Sequence, residues 1–344
     1  MNKVSLRYVL IVFLAAVTFS CSDDEQPKGK YEHGAIIVNE GQFGTGNGTI
    51  AFYNTSTAEV EQNVFKTASG FVGDGAQSIT FKDDKAYVVL NGDNKIEVAD
   101  GNTFESQSTI VSNDLVVPRY IEVINNKAYI SVWGPYDANY SLIDSYVLVY
   151  DLSTNKVVKK IDTDEGTENL LYNGNYLFAS NYNYGGSNTL AVINPTDNTL
   201  VKQIELSAGP AGMVIDVNNK LWVICSDALY RINPSTLSIE ATIALSNYPD
   251  VDLAITPDKQ NILYSSGNSI YKLPITSTTE PAKALFKSEV KTFYSFNVNP
   301  DNGDIWIGDA LNYATAGKVY IYGADGAAKS SFDAGISPTQ FVFK

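Results

Sequence analysis

The chain has 344 residues, with 38 acidic against 24 basic side chains, one histidine and two cysteines, for a formal net charge of −14. No run of five or more lysines and arginines interrupts that acidity, so nucleic acid and anionic headgroups are poor partners, because their binding draws on phosphate neutralisation. The lone histidine, His33, excludes a His-rich metal site and any catalytic His arrangement elsewhere in the chain.

Residues 1 to 20 carry Lys3 and Arg7, then the apolar run YVLIVFLAAVTF, then Ser20 before Cys21. A basic start, an apolar core too short for an ordinary membrane helix and a small residue before the cut read as a secretory signal peptide. The cysteine placed directly after that core resembles the lipobox of bacterial lipoproteins, with Thr18 where Leu is usual, which implies lipidation of Cys21. Ser22-Asp23-Asp24-Glu25 resembles the acidic export tag that sends Bacteroides-type lipoproteins to the outer face of the outer membrane; a solvated linker is the plain alternative. Residues 21–32 are expected to form a polar tether and residues 33–344 the folded domain.

From His33 onward the sequence reads as short strands, β-branched or aromatic, bounded by Asn, Asp, Gly and Pro. HGAIIVNEG, GTIAFYN and EVEQNVF supply three of them. A recurring unit follows, aligned on Ala76, Pro118, Thr167, Pro210, Pro249, Thr292 and Pro338, each opening an apolar stretch such as AQSITF, PRYIEV or PTQFVF. The period of roughly 40 to 45 residues with four strands per unit is that of propeller blades. The first unit lacks its opening strand and the last nine residues provide one. The expected fold is therefore all-β: a seven-bladed β-propeller of four-stranded antiparallel blades, closed by the C-terminal strand pairing into the first blade.

Label the strands of a blade A to D from the axis outward. B-to-C and D-to-A connections then leave on one face, A-to-B and C-to-D connections on the other. Four B-to-C loops are long, at residues 39–47, 133–144, 180–187 and 309–316, and they carry Phe43, Trp133, Tyr136, Tyr140, Tyr182, Tyr184 and Tyr313. Function in repeat scaffolds sits in such insertions, and rigid aromatics among amides suit a large amphipathic ligand; rings folded back on their own loops are the alternative. The rim of the channel should be lined by the residues after the aligned positions, Gln77, Arg119, Glu168, Ala211, Asp250, Phe293 and Thr339, with Arg119 and Glu168 near enough to pair.

Other signals are weaker. The loop NEGQFGTGNG, residues 39–48, is followed by a strand and no Lys-Ser/Thr, unlike a phosphate cradle. Turns such as NGDNK and NPDNG lack the ligand pattern of a calcium loop. Cys225, in KLWVIC, is expected in the core, and Trp222 and Trp306, at equivalent B-strand positions, between blades.

The phrases YVLVYDLSTNKVVKKIDT and TLVKQIELSAGPAGMVIDVNNKLWVI resemble the YVTN-type propeller repeat across nearly all of residues 33–344. With the opening NEGQFGTGNGTIAFYN, residues 39–54, the chain also resembles the BtuG-type surface lipoproteins of Bacteroides, encoded with cobalamin transporters. That resemblance implies a non-enzymatic, lipid-anchored protein facing the cell exterior. It would capture cobalamin or another corrinoid as a transported ligand, without a cofactor or metal of its own, and pass it to a TonB-dependent transporter. Two alternatives remain open: a glycan-binding surface lipoprotein using the same aromatics, and a propeller-type hydrolase or lyase built on Arg119, Glu168 and Asp250.

Overall fold

A computed structural model of the chain describes residues 29–65 and 70–344. The expected signal peptide, the lipidation site Cys21 and most of the tether lie outside the described residues. The rest forms seven four-stranded antiparallel sheets around an axis. Blade 1 joins Pro338–Phe343 to Ala35–Asn39, Thr49–Tyr53 and Val60–Glu61; blade 2 runs from Ala76–Lys82 to Ser106–Val111, and blade 3 from Pro118–Ile124 to Lys156–Asp162. Blades 4 to 7 span Thr167–Glu205, Met213–Ala244, Leu253–Lys287 and Phe293–Asp333. Closure is by the C-terminal strand, paired antiparallel to Ala35–Asn39 with Phe341 opposite Ile37.

Burial follows radial position. The B strands Ala35–Asn39, Leu177–Asn181 and Ile305–Asp309 are buried along their whole length, because each blade is covered on both faces by its neighbours. Apart from Ser180 and the Asn or Asp that closes each strand, they read as apolar runs for the same reason. The D strands face water: Lys156–Asp162 buries only Ile161, and its lysines guard the outer edge against pairing with another chain. Trp306 packs edge-on against Tyr53, Phe332, Phe341 and Phe343, cementing blade 7 to blade 1. Trp222 fills the seam between blades 5 and 6, its indole N–H donating to Asp216 Oδ2 at 2.9 Å. Cys225 is a buried free thiol, and burial pushes its pKa to about 12.

Two details depart from the expected register. In blades 5 and 6 strand A begins at Met213 and Leu253, beyond the aligned Pro210 and Pro249, and is only three residues long. Gly212 explains part of this: a Cβ there would lie 2.7 Å from both Val251 O and Leu253 N, so the two inner strands approach where only glycine fits. At the other end, Tyr31, within the expected tether, is buried between the rings of Phe52 and Phe104, with centroids 5.2 and 5.6 Å away. Its N–H donates to Asn102 O at 3.0 Å, on the C-to-D connection of blade 2. The chain thus enters the propeller on the face opposite the long loops.

Candidate functional site

Strand A opens with a bulge in five of the seven blades. Pairing skips Gln77 in blade 2, one residue among Arg119 and Tyr120 in blade 3, one among Glu168 and Asn169 in blade 4, Tyr294 in blade 7 and Thr339 in blade 1. A bulge puts two residues opposite one and re-aims a side chain. In blades 3 and 4 the freed backbone N–H groups, of Tyr120 and Asn169, are taken by the hydroxyls of Ser131 and Ser180 at 2.9 and 3.1 Å. Those serines are fully buried in otherwise apolar B strands because the bulges need them.

The bulged residues surround the upper mouth of the channel, where a cavity of about 700 Å3 opens toward the long loops. Its floor includes Gln77, Arg119, Tyr120, Glu168, Tyr294 and Thr339; its walls include Phe43, Trp133, Tyr136 and Tyr184 from the loops, and Asp252 from the entry to blade 6. Arg119 grips Glu168 with two bonds, Nε to Oε2 and Nη2 to Oε1, each 2.9 Å. The guanidinium also lies 4.0 Å from the Trp133 ring centroid. Tyr184 meets that indole edge-on at 5.0 Å, and its hydroxyl shares a 3.1 Å hydrogen bond with that of Tyr136, so the loops of blades 3 and 4 form one aromatic wall. Opposite, Tyr294 donates its hydroxyl to Glu40.

Local chemistry fixes the loops. In blade 3 the segment after Trp133 turns through Gly134 at φ 78°, where a Cβ would lie 2.1 Å from Asp144 O. It then forms a small hairpin pinned by Asp137 Oδ1, which accepts the N–H groups of Asn139 and Ser141. In blade 4, Asn183, Tyr184 and Gly185 are all left-handed, at φ 41°, 50° and 86°. A bulky side chain in that region is uncommon and marks a position held by its surroundings.

The sequence-derived candidates fall into separate places in the structure. Phe43, Gln77, Arg119, Trp133, Tyr136, Glu168 and Tyr184 share the cavity. Trp133 contributes from beneath, only 5% exposed, whereas Phe43 and Tyr184 stand 76% and 64% exposed at the rim. Tyr140 projects from the blade 3 hairpin at 86% exposure, away from the cavity. Tyr182 is half-buried against the core of blades 5 and 6. Tyr313 lines a shallower neighbouring hollow with Glu40, Phe43 and Tyr294, its ring 5.7 Å from that of Tyr294. Asp250 lies outside the lining, and Asp252, two residues on, stands in the wall instead.

Among the lining residues that the sequence reading did not single out are Glu40, Tyr120, Asp252 and Tyr294. Strict alternation cannot anticipate Tyr120 beside Arg119, because only a bulge turns neighbouring residues toward the axis. The buried serine opposite, Ser131 in KAYISVW, is the signal that would have found it. Tyr294 was displaced by aligning blade 7 on Thr292, one residue before the strand starts.

The electrostatics are acidic but largely closed. Arg119 is spent on Glu168. Burial raises the pKa of Glu40, against the pull of the Tyr294 hydroxyl. Burial, reinforced by the charges of Asp250 and Glu168, pushes Asp252 up to about 7. Burial likewise holds the hydroxyls of Tyr120, Tyr136 and Tyr294 protonated. Two atoms of lining residues, Trp133 Nε1 and Asn91 Oδ1, are buried without a partner in the protein. A buried polar atom of that kind calls for an explanation.

Residues 33–334 match the family described as a domain of unknown function, DUF5074. The chain belongs to that family. No curated protein matches it. Among solved structures, a quinonprotein alcohol dehydrogenase-like protein from Bacteroides thetaiotaomicron VPI-5482 superposes with a TM-score of 0.69 at 14% identity, over 89% of this chain and 78% of that one. A functionally unknown protein from Desulfotomaculum acetoxidans DSM 771 gives 0.69 at 11% identity, over 90% and 98%. Hydrazine synthase from Kuenenia stuttgartiensis gives 0.51 at 18% identity, over 67% and 69%. At such identities the likeness shows the propeller fold and nothing of the chemistry.

For this DUF5074 chain, chemistry must therefore be argued from the cavity itself. His33, the only histidine, is exposed at the foot of blade 1, on the opposite face. Among the described residues no group of three or more His, Cys, Asp and Glu side chains could hold a metal ion.

Proposed function

We propose that this chain is a surface-anchored, non-catalytic binding propeller that captures a corrinoid, most simply cobalamin, in the upper cavity and passes it to a TonB-dependent transporter. The observation that carries this reading is the combination of aromatic walls with a floor whose one guanidinium is already neutralised. Such a site favours a large, amphipathic, uncharged ligand with amide or hydroxyl edges over an anion, which would meet Glu40, Glu168 and Asp252 with no free cation opposite. A corrin ring bordered by carboxamides has that character. A macrocycle larger than the cavity would sit partly proud of it, its flanks against Phe43 and Tyr184.

Entry of the chain on the opposite face supports the anchored arrangement. A lipid on Cys21 would hold the lower face toward the membrane and leave the cavity open to the exterior. Tyr140 and Tyr313, 86% and 51% exposed beside the mouth, would remain for the transporter.

Titration of the mature protein with cyanocobalamin tests the reading: saturable binding of one ligand per chain, weakened at least tenfold by Tyr184→Ala, is expected. No binding at micromolar ligand would remove the corrinoid assignment. A second reading, hydrolase or lyase, is favoured by the place of Asp252 in the cavity wall, where burial pushes its carboxyl up to about 7, the range of a general acid or base. Turnover abolished by Asp252→Asn would establish it.

A further inference from the structure

A second cavity, of about 740 Å3, lies on the lower face between blades 4 and 5. It is bounded by the A-to-B turn of blade 4, with Tyr172, Asn173 and Asn175, and that of blade 5, with Asn218, Asn219 and Lys220. The side chains of Asn175, Asn218 and Asn219 are exposed and form no hydrogen bond with another described residue. Asn173 Oδ1 accepts the N–H groups of Asn175 and Tyr176 at 3.0 and 2.8 Å, which leaves its Nδ2 as a donor.

In a chain of net charge −14 this cleft holds no uncommitted charge. Lys220 Nζ donates to Glu240 at 2.7 Å. Asp216 accepts two backbone N–H groups of its own turn and the Trp222 indole. The corresponding turns of blades 2 and 6 carry charge, with Asp83 and Asp84 in the one and Asp258 and Lys259 in the other, whereas that of blade 3 is Asn125 and Asn126. What remains between blades 4 and 5 is the carboxamides of Asn175, Asn218 and Asn219, each both donor and acceptor, and the Asn173 Nδ2 donor, beside a tyrosine ring and an apolar base of Ile215 and Pro234.

We propose that this lower cleft binds a neutral saccharide. Vicinal hydroxyls present a donor and an acceptor at the spacing a carboxamide offers, and the C–H face of a pyranose packs on an aromatic ring. The Tyr172 ring is held in place by its hydroxyl, which donates to Gly174 O at 2.6 Å. An ionic ligand has no partner here, since Lys220 and Glu240 satisfy each other. The site is separate from the upper cavity and does not depend on the reading given to it.

The test is calorimetry of the wild-type chain against neutral tetra- and hexasaccharides of glucose, mannose, galactose and xylose. The double variant Asn175→Ala/Asn218→Ala and the variants Tyr172→Ala and Tyr184→Ala are run in parallel. At least one saccharide should bind the wild type, bind the double variant and Tyr172→Ala at least tenfold more weakly, and bind Tyr184→Ala unchanged. Both asparagines are exposed, so the double variant should melt with the wild type, and cyanocobalamin titration of the same samples reads the upper cavity independently. Absence of binding across the panel, binding that survives the double variant, or binding lost in Tyr184→Ala would overturn the proposal.

Discussion

Replacing Arg119 by Met removes the only cation of the cavity floor while keeping much of its bulk. The pair it leaves is bidentate, with side chains 14% and 9% exposed, so Glu168 would remain an almost fully buried carboxylate without a counter-ion. Breaking a buried pair from one side costs about 3–5 kcal/mol. The lost contact with the Trp133 face adds about 0.5–2 kcal/mol. Glu168→Gln should cost less, since the charge it strands still rests on an indole. The double variant Arg119→Met/Glu168→Gln buries no charge and should lie within about 1 kcal/mol of wild type, because a buried pair barely repays its desolvation. With an unfolding entropy of about 2.1 cal/mol/K per residue over roughly 310 residues, a loss of 3–5 kcal/mol lowers the melting temperature by about 5–8 °C. Urea denaturation of the four proteins yields the coupling energy, at least about 2–4 kcal/mol by this reasoning. If Arg119→Met cost under about 1 kcal/mol, or the two single effects simply added in the double variant, the closed-pair account of the floor would be refuted.

Three further outcomes follow from the same structure. Asp252 has its pKa raised to about 7 from 3.8, so the folded state binds more protons than the unfolded one between those values. Its contribution to stability is fully present below about pH 4 and lost as pH rises through 7. Asp252→Asn should flatten that part of the pH–stability profile and stabilise the protein at pH 8 by about 2–4 kcal/mol, and an unchanged profile by denaturant titration would contradict the shift. Phe341→Ala, at a 1% exposed ring packed on Trp306 in the closing strand, should cost about 3–5 kcal/mol in urea unfolding; a loss below about 1 kcal/mol would mean the seam is not sealed there. The Cys225 thiol, its pKa lifted to about 12 by burial, should resist iodoacetamide in the native protein and react in urea, with mass spectrometry as the readout.

The architecture was legible because a propeller repeats its grammar. Turn residues, apolar B strands and the orphan strand at Pro338 each reported the same ring, and TENLLY, PRYIEV and AQSITF begin strand A where the alignment placed it. PAGMVI and PDVDLA did not. There the approach of two inner strands at Gly212 shortens strand A, a tertiary constraint that no local pattern carries.

Loop length and strand order place Trp133, Tyr136 and Tyr184 on one face from the sequence, since loop direction follows from strand order alone. They do not separate Tyr184 at the cavity from Tyr140 at a hairpin tip, because that depends on the turn made by Asp137. The floor was harder to read. Arg119 and Glu168 were found, but Tyr120 and Tyr294 reach the axis through bulges, and Glu40 opens a loop, directly after strand Ala35–Asn39, whose course sequence does not specify.

A crystal structure of the protein grown with cyanocobalamin bears on corrinoid capture without intermediaries. Corrin density should be centred on the propeller axis above Arg119 and Glu168, flanked by Phe43 and Tyr184, with a ligand acceptor near Trp133 Nε1. Density confined to the lower face, or an upper cavity holding only solvent at saturating ligand, would contradict it.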